Sequence, residues 1–139
     1  FGTGKTFILI KLAREIIKKG IKVTFVYYPD LVRSMKSSIT NGGIEELVMK
    51  LKNIEVLMLD DIGGENNTSF VRDEVLGPIL QYRSLANLPT FMTSNLNINE
   101  LREHFMETRD GIDAIKSQRI IERVKFLMKD IELIGTNFR

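Results

Sequence analysis

The chain has 139 residues, of which 43% are hydrophobic and 27% charged, with a net charge of +2 and no cysteine. This length and composition are those of one globular domain with a single core, which we expect residues 1–139 to form. The missing cysteines exclude disulfides and thiolate metal sites, and no apolar run approaches the roughly 18 residues of a membrane helix. We therefore expect a cytoplasmic protein that does not bind a membrane.

The chain begins with FGTGKT, the last six residues of the Walker A pattern G-x-x-x-x-G-K-[ST], directly before an apolar helix. In such a loop Lys5 contacts the β- and γ-phosphates of ATP, and the Thr6 hydroxyl binds Mg²⁺. The expected nucleotide contacts are Gly2, Thr3, Gly4, Lys5, Thr6 and Phe7. Because a strand leads into a P-loop, we expect the first strand of the domain to lie upstream of Phe1. A glycine turn with a chance lysine is the alternative.

Helices and strands alternate along the rest of the chain. Apolar spacing and breaker residues predict helices over residues 7–19, 29–40, 44–52, 69–86, 99–107 and 112–124. Apolar, β-rich runs predict strands over residues 22–28, 54–59, 90–94 and 126–134. This alternation predicts an α/β fold, in which a parallel sheet is flanked by helices on both faces.

Four of the predicted helices carry an apolar stripe that we expect to face the core. The stripes consist of Ile8, Leu12 and Ile16; Leu31, Met35 and Ile39; Val71, Val75, Ile79 and Tyr82; and Ile112, Ile115, Ile120 and Val124. Ser69 is the expected N-cap of the helix over residues 69–86. His104 is the only histidine, and we expect it to be structural or solvated rather than a metal ligand.

Two carboxylates follow the apolar strand VLML. Ligands of parallel sheets bind at the carboxyl ends of the strands, where a P-loop also lies. Asp60 matches the Walker B aspartate, which holds Mg²⁺ together with the P-loop hydroxyl. Asp61 stands where many ATPases place a glutamate that polarises the attacking water. A solvated acidic turn is the alternative, but two adjacent acids after a buried strand are difficult to explain structurally.

Two later features add polar groups. The strand FMTS ends at Asn95, whose amide can lie between the Walker B carboxylate and the γ-phosphate and position the water, the role called sensor 1. A helix cap is the alternative for this residue. Arg119 and Arg123 lie one turn apart on the last predicted helix. Without further context, exposed arginines on a helix are usually part of a solvated face.

The order of these motifs resembles that of AAA+ ATPases, and the connecting sequence is more specific. LDDIGGE, FVRDEVLGPILQYR, LPTFMTSN and RIIERVKFL resemble the ATPase domain of the DnaI, DnaC and IstB family, which contains bacterial replicative helicase loaders and transposition helpers. The resemblance covers nearly the whole chain. It implies an AAA+ domain without a separate helical lid, which uses ATP to load a hexameric replicative helicase onto single-stranded DNA.

The resemblance also implies roles for three basic residues. Arg123 in RIIER matches the family's arginine finger, which acts on ATP held by a neighbouring subunit, and this implies self-association through that face. Arg119 would support the finger, and Arg139 matches a late basic residue likened to sensor 2. The family's helicase-binding region is a separate N-terminal domain built around a zinc site. We therefore expect the helicase to contact mainly that upstream domain.

The helix predicted over residues 29–40 is the candidate DNA-binding surface. Its polar face carries Arg33, Lys36, Ser37 and Thr40 opposite the apolar stripe. Cationic and hydroxyl donors suit sequence-independent contacts with the phosphates of a single strand. An ordinary solvated helix face is the alternative.

Together these features predict the ATPase domain of a primosomal helicase loader, with weak hydrolysis that depends on assembly because Arg123 acts in trans. Three alternatives remain. The first is an IstB-type transposition helper, which the RDEVLGPILQYR segment disfavours. The second is an ATP-switch binding module with little hydrolysis. The third is a small-molecule P-loop kinase, which is disfavoured because no arginine-rich lid follows the core.

Overall fold

The computed structural model describes residues 4–38 and 43–132. In chain order its elements are α1 (Lys5–Lys18), β1 (Val23–Tyr27), α2 (Tyr28–Ser38), α3 (Gly43–Asn53), β2 (Val56–Ile62), a π-helical segment (Val71–Leu76) that continues into α4 (Gly77–Ala86), β3 (Thr90–Ser94), α5 (Ile98–Met106), the short strands β4 (Glu107–Thr108) and β5 (Gly111–Ile112), and α6 (Ala114–Leu127). Within these residues, no helix combines the length and the apolarity needed to cross a membrane.

The central feature is a three-stranded parallel sheet with the strand order β1-β2-β3. Side chains of the middle strand alternate between two apolar clusters, as the pleat of a strand requires. Val56 and Met58 pack with α1 on one face, whereas Leu57 and Leu59 pack into the larger cluster of α2 to α6 on the other. The predicted parallel sheet with helices on both faces is therefore confirmed.

A buried arginine fastens the amino ends of β2 and β3. The guanidinium of Arg83 is fully buried and donates to the Thr90 hydroxyl and to a set of backbone carbonyls. These carbonyls belong to Leu51, Lys52, Ile54, Glu55 and Pro89. Burial lowers the pKa of Arg83 to about 10. No pattern in the sequence pointed to this residue.

The buried face of α1 differs from the predicted one. Ile8 and Leu12 are 49% and 36% exposed, whereas Leu9 and Ala13 are buried against the sheet. Only Ile16 of the predicted stripe packs beside them, partly buried. Almost every residue from 7 to 13 is apolar, so spacing alone could not select one face of this helix. The stripe on α2 is confirmed for Leu31 and Met35, and Ile39 lies outside the described residues.

The segment before α4 also differs in detail. Val71, Val75 and Ile79 are buried as predicted, but Tyr82 is exposed. The π-helical turn widens the helix before Gly77, whose N–H donates to the Arg72 carbonyl, and the inward position moves from Tyr82 to Arg83. The N-cap prediction is wrong as well. The Thr68 hydroxyl accepts from the Val71 N–H, while Ser69 donates to Asp110.

Two predictions for the last part of the chain are wrong. Helix α6 begins at Ala114, where the Asp113 side chain caps it, and Ile112 belongs instead to β5. Both Ile112 and Ile115 are exposed, although Ile120 and Val124 are buried as predicted. The predicted strand over residues 126–134 is absent from the described residues, because α6 continues to Leu127 and residues 128–132 have no regular structure.

Candidate nucleotide-binding site

The start of α1 and the carboxyl ends of β2 and β3 meet at one edge of the sheet. Gly4 adopts a left-handed conformation with φ of 86°, which glycine accommodates without strain, and its carbonyl accepts from the Ile8 N–H. Helix α1 begins at the next residue. Phe7 is exposed. Gly2 and Thr3 lie outside the described residues, so their predicted phosphate contacts stay predictions.

The two residues predicted to hold Mg²⁺ are in contact. The Thr6 hydroxyl lies 3.0 Å from Oδ2 and 3.2 Å from Oδ1 of Asp60, although the two residues are 54 positions apart in the chain. The Asp60 side chain is almost fully buried, and a buried carboxylate needs such donors. A hydroxyl beside a carboxylate suits Mg²⁺. Proteins bind this ion through few oxygen ligands of their own, and water and phosphate oxygens complete its coordination shell.

Thr93 connects the two aspartates, and the sequence analysis missed it. Its hydroxyl donates to Asp60 Oδ1 at 2.5 Å and accepts from the Asp61 N–H at 2.8 Å. The contact is possible because β3 lies beside β2 with its Thr93 side chain on the Asp60 face of the sheet. The polar ending of the strand FMTS was the available signal, but we assigned it to Asn95 alone.

Lys5 and Asn95 also come together at this edge. Lys5 Nζ donates to Asn95 Oδ1 at 3.1 Å. The P-loop lysine and the sensor 1 candidate are 90 positions apart in sequence, so the fold alone creates this pair. Thr6 and Asp60 lie in contact beside them. The structure thus gathers the predicted phosphate, metal and water-positioning residues at one place.

Asp61 has an unusual backbone conformation and a partner that the sequence did not indicate. Its φ is 63°, in the left-handed region that aspartate tolerates better than most residues. The Tyr27 hydroxyl donates to Asp61 Oδ2 at 3.2 Å. This hydrogen bond and the charge of Asp61 raise the pKa of the Tyr27 phenol above its ordinary value. The carboxylate is therefore oriented by a side chain from the neighbouring strand.

Two of the predicted basic residues lie on α6 and are not part of this cluster of hydrogen bonds. Arg119 is exposed and Arg123 is half-buried on α6, where Arg123 Nη1 donates to the Arg119 carbonyl at 3.0 Å. The hydrogen bonds of the described residues do not connect either arginine with Asp60 or Asp61. Arg139 lies outside the described residues.

The candidate DNA-binding face is only partly described. Arg33 is exposed on α2 and forms an ion pair with Asp30 one turn earlier. Lys36 and Ser37 belong to the same helix, but their side chains lie outside what the structure describes. The pairing of Arg33 places a carboxylate beside the cation that DNA phosphates would contact.

Comparisons with known proteins agree with this geometry. Residues 1–135 match the family model of the IstB-like ATP binding protein. The chain is 44% identical over its full length to the replicative helicase loader DnaI of Bacillus subtilis (strain 168), of which it covers 45%, and 28% identical over 72% of its length to the loader DnaC of Escherichia coli (strain K12), of which it covers 41%. The chain therefore spans less than half the length of these curated relatives.

Solved structures show the same fold. A crystal structure of DnaI superposes with a TM-score of 0.85 at 42% identity, covering the whole of this chain and 69% of that one. A DNA replication initiation factor superposes with a TM-score of 0.68 at 22% identity over 86% of this chain and 35% of that one, which supports the fold alone. With the P-loop lysine, the Thr6–Asp60 pair and a family match over residues 1–135, the chain belongs to the IstB-like ATP-binding proteins.

Proposed function

We propose that the chain is the ATP-hydrolysing domain of a helicase loader, which helps to place a replicative helicase on single-stranded DNA. The observation that carries the proposal is the cluster in which Thr6, Asp60 and Thr93 share hydrogen bonds beside the Lys5–Asn95 pair. The 44% identity to a protein named as a replicative helicase loader supports the biological role. DNA binding through Arg33, Lys36 and Ser37 remains part of the proposal.

Hydrolysis would depend on positioning and charge more than on covalent chemistry. Lys5 would contact the terminal phosphates, and Thr6 and Asp60 would hold Mg²⁺. When bound, the ion would neutralise phosphate charge. Asp61 and Asn95 would orient the attacking water. Arg119 is exposed and Arg123 is half-buried on α6, and neither hydrogen-bonds to Asp60 or Asp61, which fits a finger offered to a neighbouring subunit.

A mixing experiment tests the shared site. Arg123→Ala should bind ATP normally but lose the hydrolysis that assembly with helicase and DNA stimulates, by a factor of up to about 10³. Asp61→Asn should also be nearly inactive alone. A mixture of the two should recover part of the activity, because an intact arginine can then face an intact Asp61 in the neighbouring subunit.

Each possible result has a separate meaning. If Arg123 acted within its own subunit, Arg123→Ala would be inactive and mixing would rescue nothing. If Arg123 were only a solvated surface residue, Arg123→Ala would hydrolyse ATP like the unmodified protein and cost under about 0.5 kcal/mol of stability. Either result would overturn hydrolysis at a shared site.

An ATP-switch module with little hydrolysis is the second candidate. Asp61 has a shorter side chain than glutamate and is engaged by Tyr27, which favours a slow site. A single-turnover assay with ATP, helicase and single-stranded DNA separates the two functions. A chain that binds ATP and releases no phosphate under these conditions would be a switch.

A transposition helper would bind different partners from a helicase loader. A helicase loader should co-elute with a hexameric replicative helicase in the presence of ATP. This experiment uses the protein with any segments that accompany this domain. A transposition helper should bind double-stranded DNA and leave the helicase unbound.

A further inference from the structure

A buried carboxylate closes the turn that follows the two aspartates. The Glu65 side chain is only 2% exposed, and its two oxygens have different partners. Oε1 accepts from the Gly63 N–H at 2.8 Å, and Oε2 lies 2.5 Å from Nε2 of His104 on α5. A buried carboxylate is costly unless such donors compensate it. Glu65 therefore joins the turn after β2 to α5.

The path of this turn leaves little freedom. Gly63 has φ of 105°, a conformation that strains any residue with a side chain, and a Cβ at this position would lie 2.7 Å from Leu96 Cδ1. The Ile62 carbonyl, one residue before, accepts from the Ser94 hydroxyl at 2.5 Å. Both polar groups of the Ile62–Gly63 peptide, its carbonyl and its N–H, are thus bound by side chains.

These contacts surround the strained residue of the site. Asp61 has φ of 63°, and a strained conformation persists only where its surroundings fix it. Its own N–H is held by Thr93, the Ile62 carbonyl by Ser94, and the Gly63 N–H by Glu65. Each of the three side chains has a further partner, and that of Glu65 is His104 on α5.

The segment is tied to α5 a second time. Asn67 Nδ2 donates to the backbone carbonyl of His104 at 2.8 Å, two residues beyond Glu65. Glu65, Asn67 and His104 also line an open cavity of about 300 Å³. The fold therefore fastens residues 63–67 to one place on α5 rather than leaving them as a free loop.

We propose that Glu65 is a positioning residue for ATP hydrolysis, which holds the Gly63 turn against His104 so that Asp61 keeps its orientation. The inference rests on the proposed function, since it assigns Asp61 to the attacking water. Glu65 contacts neither the water nor the nucleotide and acts through the backbone. His104 is the anchor of this arrangement, which gives the only histidine of the chain a defined role.

The test compares Glu65→Ala and Glu65→Gln with His104→Ala and with Glu103→Ala, an exposed glutamate on α5 as the control. Glu65→Ala should lower kcat by about tenfold or more through displacement of Asp61, with the ATP dissociation constant unchanged. Glu65→Gln keeps an oxygen for the Gly63 N–H and should retain most of kcat. His104→Ala should fall between them, and Glu103→Ala should match the unmodified protein.

Amide hydrogen exchange gives a readout that does not depend on activity. The Gly63 amide should exchange faster in Glu65→Ala and remain protected in Glu65→Gln. Unchanged Gly63 exchange in Glu65→Ala would overturn the positioning role. If the unmodified protein hydrolyses ATP, an unchanged kcat in Glu65→Ala would overturn it as well. Equal losses of kcat in Glu65→Ala and Glu65→Gln would have the same consequence.

If the proposed function were wrong, the same experiments would give a different result. In that case the unmodified protein would hydrolyse no ATP with helicase and DNA present, while the exchange of Gly63 would still show whether Glu65 holds the turn. If Glu65→Ala did not fold, kcat and Gly63 exchange of His104→Ala would decide the matter, and values equal to those of the unmodified protein would reject the proposal.

Discussion

Replacing the Thr93 hydroxyl should weaken both the fold and the candidate site. Thr93→Val keeps the β-branched shape that a strand favours and removes only the hydroxyl. The hydroxyl bond to Asp60 is charge-assisted, and such bonds contribute about 1.5–3 kcal/mol. The Asp61 N–H also loses its acceptor, which costs about 1–3 kcal/mol when no water replaces it. Because Thr93 is only half-buried, we expect a total loss of about 2–4 kcal/mol.

Thr93→Ser is the matched control for this change. Serine keeps the hydroxyl and removes one methyl group, so the free energy of unfolding should fall by under about 1 kcal/mol. Urea denaturation measures both variants, and an unchanged m-value shows that the comparison is valid. Since Thr93 holds both aspartates, Thr93→Val should also lose most of its turnover, whereas Thr93→Ser should keep it.

Two results would refute the reasoning about Thr93. If Thr93→Ser were as unstable and as slow as Thr93→Val, the losses could not be assigned to the hydroxyl, because serine keeps it. If Thr93→Val matched the unmodified protein in stability and turnover, the hydroxyl would contribute nothing to the placement of Asp60 and Asp61.

The other predictions concern phosphate binding, the phenol and the buried arginine. Lys5→Ala should weaken ATP binding by at least about tenfold, or about 1.4 kcal/mol, and an unchanged dissociation constant in calorimetry would reject the P-loop assignment. Asp61→Asn should lower the raised pKa of Tyr27 toward its ordinary value, visible in an ultraviolet titration above about pH 9, and an unshifted titration would contradict the Tyr27–Asp61 bond. The stability that Tyr27 gains from its tightly held proton is present below pH 10 and is lost as the pH rises through the raised pKa. Arg83→Ala should cost at least about 3–5 kcal/mol in thermal or urea unfolding, because several buried carbonyls lose their donor, whereas exposed Arg14→Ala should cost under about 0.5 kcal/mol; equal effects would reject the anchoring role.

The sequence predicted the fold and brought the candidate site residues to one edge of the sheet, because both depend on strong local patterns. Apolar strands that end in polar residues locate the carboxyl edge of a parallel sheet, so Asp60 and Asn95 could be placed beside the P-loop before any coordinates. Helix faces were less predictable where apolar residues are too many, as in α1. A π-helical turn also shifts the inward face by one residue, and spacing does not show it.

Residues that act through hydrogen bonds across the fold left no pattern to find. Arg83 binds carbonyls from two separate segments, and Glu65 binds a glycine amide and His104, which is 39 residues away. Tyr27 lies on a different strand from Asp61. Such partners depend on how strands and helices are arranged in three dimensions, and the spacing of residues along the chain contains no information about them.

The left-handed conformation of Asp61 explains how the carboxylates of two adjacent residues come to the same edge of the sheet. Successive side chains of a strand point to opposite faces, and Asp60 lies on the α1 face with Val56 and Met58. A regular strand would therefore direct Asp61 away from the P-loop. With φ of 63° and the register shift between Leu59 and Ile62, the Asp61 carboxylate instead reaches Tyr27, which pairs with Asp60 in the sheet. Asparagine tolerates this conformation and has nearly the same shape as aspartate, so Asp61→Asn removes the charge without removing the geometry.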